Sequence, residues 1–298
     1  MKYYLGIDGG GKKTAAAVSD ENGNIILRKS GRTINFYSVG MEKARENLAA
    51  VMAEITASLG EAVFEAAFIG CSALDKEADS QLTLSLCGGI INALKIRMHS
   101  DVYIALRAVG DVDWPCVAVC GTGSMAVAED INGQLCVRGG WGHILGDEGS
   151  GYSIAVEALK ACCILCDEGK KTQLVSSAEE YFGVDSFRDV IDIIYSKETT
   201  KDVVAGFAVN VDSLAQSGDE KAEAIIITQA QKFSETVLSL LDEIRCCSVL
   251  GLHGGLFRHS RIFTDSFVES IRKEYPELEI RTLITPAEES AVAEARKL

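Results

Sequence analysis

Two glycine-rich turns contain the residues of this chain that are best suited to chemistry. The first turn holds Gly9, Gly10 and Gly11, and the second holds Gly121 and Gly123. A glycine turn can direct its backbone N–H groups at a phosphate with no Cβ in the way. One such turn is explained equally well by a tight hairpin, but two at matching places in a repeated unit favour a clamp for a polyphosphate. Neither turn is a P-loop or a dinucleotide fingerprint, because both lead into strands rather than helices.

Asp8 lies at the end of the first predicted strand, directly before the first glycine turn. A carboxylate beside a phosphate is electrostatically unfavourable unless a cation lies between them. Asp8 therefore predicts a Mg²⁺ ion, the usual companion of protein-bound polyphosphates. The alternative is that Asp8 is a turn residue without a ligand.

The ten cysteines do not indicate a metal centre. Cys163 and Cys166 have C-x-x-C spacing, which is also found in metal and redox sites. However, they lie with Cys162 in an apolar run of helical character, and the sequence offers no matching second pair. We predict buried, reduced thiols that pack as small hydrophobic groups, and the same for Cys246 and Cys247.

Composition limits the partners of the protein. The chain has 298 residues, of which 47% are hydrophobic and only three are Pro, so one large or two medium domains are expected. The formal charge of −14 argues against sequence-independent nucleic-acid binding, which requires basic surfaces. Neither a membrane-spanning run nor a signal peptide is evident. We therefore expect a cytoplasmic protein that binds neither nucleic acid nor membrane.

A β-meander with glycines at its first turn occurs twice, about 110 residues apart. Each copy has a second turn at an Asn-Gly pair, Asn22-Gly23 and Asn132-Gly133, which is a strong hairpin signal. A repeat of this size indicates two related α/β domains. Beyond the meanders we predict helices over 44–59, 82–94 and 287–298, a mainly helical stretch over 151–241, and strands over 66–71, 95–99, 248–252 and 278–283.

Four segments resemble a known group: GIDGGGKKT, CGTGS, GGWGHILGDEGSG and LGLHGGLF. Together they are similar to the N-acetylglucosamine kinase branch of the BadF/BadG/BcrA/BcrD ATPase family, in the actin–hexokinase–heat-shock ATPase superfamily. The resemblance implies two actin-like (ribonuclease H-like) domains, each a mixed sheet with a β-meander and flanking helices, with a cleft between them. It also implies residues 1–112 as the sugar and phosphate side, 113–285 as the nucleotide side, and 286–298 as a helix packing back on the first domain.

The resemblance also assigns roles to individual residues. Asp101 would be the catalytic base, and Asp8 would hold Mg²⁺ through water. ATP would contact Asp8, Gly9, Gly10, Gly11, Lys12, Thr14, Gly121, Thr122, Gly123, Ser124, Ala215, Gly254 and Gly255. The sugar would contact Asn35, Ser72, Asp101, Gly140, Trp141, Gly142 and Asp147.

The residues themselves leave alternatives to two of these roles. Asp101 follows the carboxyl end of a predicted strand, where open α/β sheets bind ligands, but it could also cap a helix that begins near Val102. Asp147 and Glu148 lie in a Gly-flanked loop before a helix, and they could likewise be capping residues.

The chain departs from the family pattern at three places. Lys12 stands where Thr is usual, so that an ammonium replaces a phosphate-binding hydroxyl. Val102 and Tyr103 follow Asp101 where small residues are usual, which leaves the sugar specificity open. Glu289-Ser290 replaces a typical Gly-Ala pair, so the docking of the last helix is expected to differ.

The implied activity is ATP-dependent transfer of the γ-phosphoryl group to a hydroxyl, O6, of N-acetylglucosamine or a related amino sugar. Two alternatives remain open: an activator-type ATPase with an Fe–S cluster, and a sugar- or nucleotide-binding sensor in which Lys12 has weakened catalysis. The sequence leaves the oligomeric state open, with a homodimer as one option.

Overall fold

The structure is a computed structural model that describes residues 2–298. Its strands are β1 (Tyr4–Gly9), β2 (Lys13–Ser19), β3 (Ile25–Arg32), β4 (Ala66–Cys71), β5 (Ile96–His99), β6 (Pro115–Cys120), β7 (Ser124–Glu129), β8 (Leu135–Gly139), β9 (Val249–His253) and β10 (Glu279–Thr282). Its helices are α1 (Phe36–Val39), α2 (Met41–Leu59), α3 (Ser80–Cys87), α4 (Asp101–Arg107), α5 (Gly151–Asp167), α6 (Gln173–Phe182), α7 (Val190–Ile194), α8 (Lys201–Gly206), α9 (Ala208–Gln216), α10 (Glu220–Ile244), α11 (Gly255–His259), α12 (Arg261–Glu274) and α13 (Ala287–Ala295), with a 3₁₀ turn at Phe187–Asp189.

The chain forms two compact units. One consists of the residues up to Asp111 together with Ile284–Leu298, and the other is Val112–Leu283. The first unit contains a five-stranded sheet in the order β3-β2-β1-β4-β5, and the second contains one in the order β10-β9-β6-β7-β8.

The two sheets have the same construction, as the repeat predicts. In the first, β1, β2 and β3 form an antiparallel meander, while β4 and β5 run parallel to β1. In the second, β6, β7 and β8 form the meander, and β9 and β10 run parallel to β6. The predicted fold of two mixed α/β sheets with flanking helices is therefore confirmed.

The last helix, α13, packs against the centre of the first sheet. Gly6 on β1 makes this contact possible, because a Cβ there would lie 2.3 Å from both the Glu288 carbonyl oxygen and the Val292 amide nitrogen. Glu289, at the position where the family usually has glycine, accepts a hydrogen bond from Arg28 on β3 at 3.1 Å. The departure at this position thus gives α13 a polar attachment to the sheet.

One predicted helix end is wrong, and one alternative for a capping residue fails. The helix predicted over 82–94 spans Ser80–Cys87, because Gly88 follows it and Gly89 has a φ of +74°. The helix after β5 begins at Asp101, and the residue that caps it is Ser100, whose side chain accepts from the Tyr103 amide. The alternative in which Asp101 is the capping residue therefore fails.

The cysteine prediction is only partly right. All ten cysteines are free, and Cys162 is buried, but Cys163 and Cys166 are exposed. They lie on α5, and only one side of this helix faces the core. The prediction failed because the sequence around them is apolar on every side of the helix and does not show which side is buried. Among residues 2–298, no helix has the length and apolar character that a membrane span requires.

Candidate active site

The first glycine loop joins β1 to β2, with Gly9 opposite Thr14. Gly9 is required by packing, because a Cβ there would lie 2.5 Å from Ile34 Cγ1 and 2.9 Å from the Gly70 carbonyl oxygen. Gly11 differs: within residues 2–298, no heavy atom outside its chain neighbours lies within 4 Å of the place a Cβ would occupy. Its φ is also outside the left-handed region. Packing and backbone conformation therefore do not require glycine at position 11.

Asp8 on β1 and Asp101 directly after β5 lie at the carboxyl-end edge of the first sheet, with β4 between the two strands. Asp8 on β1 is the register partner of Gly70 on β4, and Gly70 is the partner of His99 on β5. Because Gly70 has no side chain, the backbone of α4 comes close to the strand: a Cβ on Gly70 would lie 3.3 Å from Asp101 Cα. The sheet therefore brings together two carboxylates that are 93 residues apart in sequence (101 minus 8).

Burial changes the acidity of both carboxyl groups. The pKa of Asp8 is raised from 3.8 to about 7, chiefly by burial and to a smaller extent by the negative charges of Asp101 and Glu288, while Lys13 lowers it. Burial also raises the pKa of Asp101, against the hydrogen bond that its Oδ1 accepts from the Val102 amide at 2.8 Å. A cation beside Asp8 would offset this repulsion, and a raised pKa makes Asp101 a stronger base.

A hydrogen-bond network connects Asn35 and Ser72 with the first loop. The Asn35 amide group donates to Ser72 Oγ at 3.0 Å, and the Ser72 backbone amide donates to the Gly9 carbonyl at 2.9 Å. Thr33 Oγ1 donates to the Gly10 carbonyl at 2.7 Å and accepts from the Asn35 backbone amide at 3.0 Å. Asn35 and Ser72, predicted to bind the sugar, are thus held next to the glycine loop, and Asn35 also caps α1.

The second glycine loop joins β6 to β7 and rests on the first turn of α5. The Gly121 carbonyl accepts from the Gly151 amide at 2.8 Å, and the Thr122 carbonyl accepts from the Tyr152 amide at 3.4 Å. Ser124 donates its hydroxyl hydrogen to the Glu148 carbonyl at 2.6 Å. As at Gly11, no heavy atom in the described part of the chain would contact a Cβ on Gly121 within 4 Å.

Asp147 lies against this second loop. Its side chain is buried, its φ is +62°, and its Oδ2 is 2.8 Å from the place a Cβ on Gly123 would occupy. The cap of α5 is Ser150 rather than Asp147 or Glu148. Trp141, predicted to line the sugar pocket with Gly140 and Gly142, lies on the preceding loop with its side chain 75% exposed.

The remaining residues predicted to contact the nucleotide are Gly254, Gly255, Ala215 and Thr14, and they differ in the exposure of their side chains and backbone. Gly254 has a φ of +112°, and a Cβ there would lie 2.1 Å from the Cys120 carbonyl oxygen. Only glycine therefore fits between β9 and β6 at this point. Gly255 is the first residue of α11. Ala215 is buried in the core of the second unit. Thr14 is fully buried on β2, and its hydroxyl donates to the Arg32 carbonyl at 2.9 Å. Ala215 and Thr14 therefore lack exposed side chains for a ligand.

Sequence reasoning missed three residues near the first loop. Thr33 could have been noticed, because a hydroxyl residue stands two positions before Asn35 at the end of a predicted strand. Gly70 and Glu288 had no such signal, since Gly70 matters through the close approach of Asp101 and Glu288 through its charge near Asp8. Within residues 2–298, no group of three or more His, Cys, Asp or Glu is arranged to hold a metal.

Comparisons with known proteins show the family of the chain. The chain is 29% identical over 302 residues to an N-acetylmuramic acid/N-acetylglucosamine kinase of Clostridium acetobutylicum, covering 99% of each chain. It is 27% identical over 297 residues to an N-acetyl-D-glucosamine kinase of Dictyostelium discoideum, covering 94% of this chain and 93% of that one. A solved structure from Chromobacterium violaceum, provisionally described as an N-acetylglucosamine kinase, matches the fold with a TM-score of 0.76 at 18% identity over 98% of both chains. The model of the BadF/BadG/BcrA/BcrD ATPase family matches residues 5–294. The chain therefore belongs to the BadF/BadG/BcrA/BcrD ATPase family.

Proposed function

We propose that the protein is an ATP-dependent sugar kinase that transfers the γ-phosphoryl group to O6 of N-acetylglucosamine or a related amino sugar. The observation that carries the proposal is the pair Asp8 and Asp101 at the carboxyl ends of two parallel strands on either side of β4, beside the first glycine loop. The names of the two curated relatives support the substrate class. Phosphoryl transfer to an alcohol needs a proton acceptor, a metal and N–H donors. In this proposal Asp101 accepts the proton, Asp8 helps to hold the metal, and the glycine loop supplies the N–H donors.

Asp101 is the general base in this proposal. Its carboxylate takes the proton of the attacking hydroxyl as the bond to phosphorus forms, and the leaving ADP carries the displaced electron pair. Its raised pKa brings its basicity closer to that of a neutral-pH proton acceptor. Asn35 and Ser72 would orient the sugar through its hydroxyl groups, with Gly140, Trp141 and Gly142 as further contacts.

ATP and its metal account for the rest of the predicted residues. Mg²⁺ bound to the phosphates would neutralise their charge, and Asp8 would hold it through water. The backbone of Gly9 to Gly11 would bind phosphate at the first loop, and that of Gly121 to Gly123 at the second. Gly254 and Gly255 would lie against the adenosine. Ser124, Asp147, Thr14 and Ala215 have side chains that are buried or engaged with the protein, which favours a structural role for them.

Gly11→Ala is expected to leave the melting temperature nearly unchanged while raising KM for ATP about tenfold or more, since the new methyl would lie where the phosphate approaches. Gly9→Ala is the matched contrast, because its Cβ would clash with Ile34 and should lower the melting temperature instead. Thermal unfolding and steady-state kinetics separate the two effects. A wild-type KM in a well-folded Gly11→Ala variant would exclude this loop from the phosphate site.

Lys12→Thr is expected to keep or raise kcat/KM for ATP, because it restores the hydroxyl that the family usually has at this position. The measurement is the initial rate over a range of ATP concentrations at saturating sugar. A large loss would instead show that the Lys12 ammonium has taken over the phosphate contact. Lys12→Met removes the charge without supplying a hydroxyl, so it shows whether a change in kcat/KM comes from losing the charge or from gaining the hydroxyl.

The function is tested by ADP formation from Mg²⁺-ATP with glucosamine, N-acetylglucosamine, N-acetylmuramic acid, glucose or no sugar. We expect ADP formation to depend on one of the amino sugars. An equal, low rate in all five reactions would reject the kinase. Calorimetric binding of a sugar without turnover would then indicate the sensor, and a brown protein with bound iron would indicate the activator-type ATPase.

A further inference from the structure

The bend that carries Asp101 is closed by two aromatic rings. His99, the last residue of β5, and Tyr103, in the first turn of α4, stack with ring centroids 4.1 Å apart and an interplanar angle of 23°. Ser100 and Asp101 lie between them in the chain. The stack therefore joins the two ends of the segment that presents the Asp101 carboxylate.

Tyr103 is itself held on several sides within the same unit. Phe68 of β4 stacks on it with centroids 5.8 Å apart, and the Arg107 guanidinium lies 4.6 Å from its centroid. Its hydroxyl donates to Glu294 Oε2 of α13 at 3.4 Å. His99 is fixed as well, because its Nδ1 accepts from the Ser100 amide at 2.8 Å. These contacts direct the Tyr103 ring towards β4 and α13.

The first turn of α4 needs such support. The helix has only seven residues, and a helix this short has little stability of its own in water. Its cap is weak, since the Tyr103 amide donates to Ser100 Oγ at 3.4 Å. Aromatic pairs add stability beyond the area that they bury. The ring contacts therefore add a restraint at the start of the helix.

We propose that Tyr103 is a positioning residue for Asp101. Its ring, packed against His99, Phe68 and Arg107, holds the first turn of α4 so that the Asp101 carboxylate keeps its place beside Gly70. The inference rests on the proposed function, in which Asp101 accepts the proton of the sugar hydroxyl. It also explains the bulky residue two positions after Asp101: Tyr103 acts on the position of the base and not by contact with the sugar.

The kinetic test compares Tyr103→Leu with Tyr103→Phe. Leu removes the ring, and kcat is expected to fall about 10- to 100-fold, because small displacements of a reacting group have effects of that size. KM for ATP and sugar should stay within about twofold of the wild-type values. Phe keeps the ring and loses only the hydroxyl, so it should retain kcat within about twofold. Phe64→Leu, in the other core cluster of the same unit, is the control for a general loss of packing.

A wild-type kcat in Tyr103→Leu, or an equal loss in Phe64→Leu, would overturn the inference. Amide hydrogen exchange of residues 99–104 gives a readout that does not depend on turnover. We expect exchange at least about tenfold faster in Tyr103→Leu than in Tyr103→Phe or Phe64→Leu, as for a first turn that opens locally. If the wild-type protein phosphorylates no sugar, the proposed function fails, and the exchange rates alone decide: equal rates in the three variants reject the positioning role.

Discussion

Replacing Asp101 by Asn is expected to lower kcat about 10²- to 10⁴-fold, the usual contribution of a positioned proton acceptor. Asn has nearly the same shape, and its Oδ1 can still accept from the Val102 amide, so the start of α4 should stay folded. KM for ATP should change little, because the variant removes proton transfer and not nucleotide binding. Steady-state kinetics at saturating ATP and sugar measure the effect.

The matched control is Asp20→Asn. Asp20 lies at the turn between β2 and β3, where its Oδ1 accepts from the Asn22 and Asn24 amides, and Asn can make the same bonds. This control should retain full activity. Burial raises the pKa of Asp101. As the pH is lowered, kcat of the wild-type protein should therefore begin to fall at a pH above the ordinary aspartate range, because Asp101 becomes protonated there. If Asp101→Asn keeps wild-type kcat, another group accepts the proton.

Replacing Asp8 by Asn is expected to abolish most of the activity and yet stabilise the ligand-free protein. The pKa of Asp8 is raised to about 7 in the folded state from 3.8, so ionisation favours the unfolded chain. The destabilisation begins above the unfolded pKa, grows as the pH rises to the folded pKa, and is complete above it. Asn carries no charge, so the Asp8→Asn variant lacks this destabilisation at every pH.

The sign of the effect can be tested by unfolding both proteins at two pH values. The stabilisation by Asp8→Asn should grow by about 2 kcal/mol between about pH 5.5 and about pH 8.5, most of it below about pH 7. Mg²⁺ with a non-hydrolysable ATP analogue should raise the melting temperature of the wild-type protein more than that of the variant, since the cation offsets the Asp8 charge. A variant that is less stable at about pH 8.5 would show that Asp8 has a favourable partner in the folded state.

The sequence predicts much of the fold because the decisive signals are local. Both meanders follow from alternating strand residues and Asn-Gly turns, and β4 follows from an uninterrupted apolar run at 66–71. The end of α3 was missed because the pattern continues through Leu94, although Gly88 and Gly89 stop the helix. The exposure of Cys163 and Cys166 was missed because composition does not reveal which stripe of a helix faces the core.

Local signals predict less of the candidate site. The glycine loops and the strand-end position of Asp101 are visible in the chain. The pKa of Asp8 is raised chiefly by burial in the folded sheet, and the charges that raise it further come from distant segments: Asp101 follows β5, and Glu288 lies on α13. Tyr103 illustrates the same limit, because its departure from the family pattern is visible in sequence but its stack with His99 and Phe68 needs the folded sheet.

The most direct measurement of the central claim is a phosphorus–proton correlation NMR spectrum of the reaction of N-acetylglucosamine with Mg²⁺-ATP. We predict a phosphate resonance coupled to the two C6 protons of the sugar, formed with wild-type protein and nearly absent with Asp101→Asn. Conversion of ATP to ADP and inorganic phosphate, with no phosphorus coupled to any sugar proton, would contradict the account.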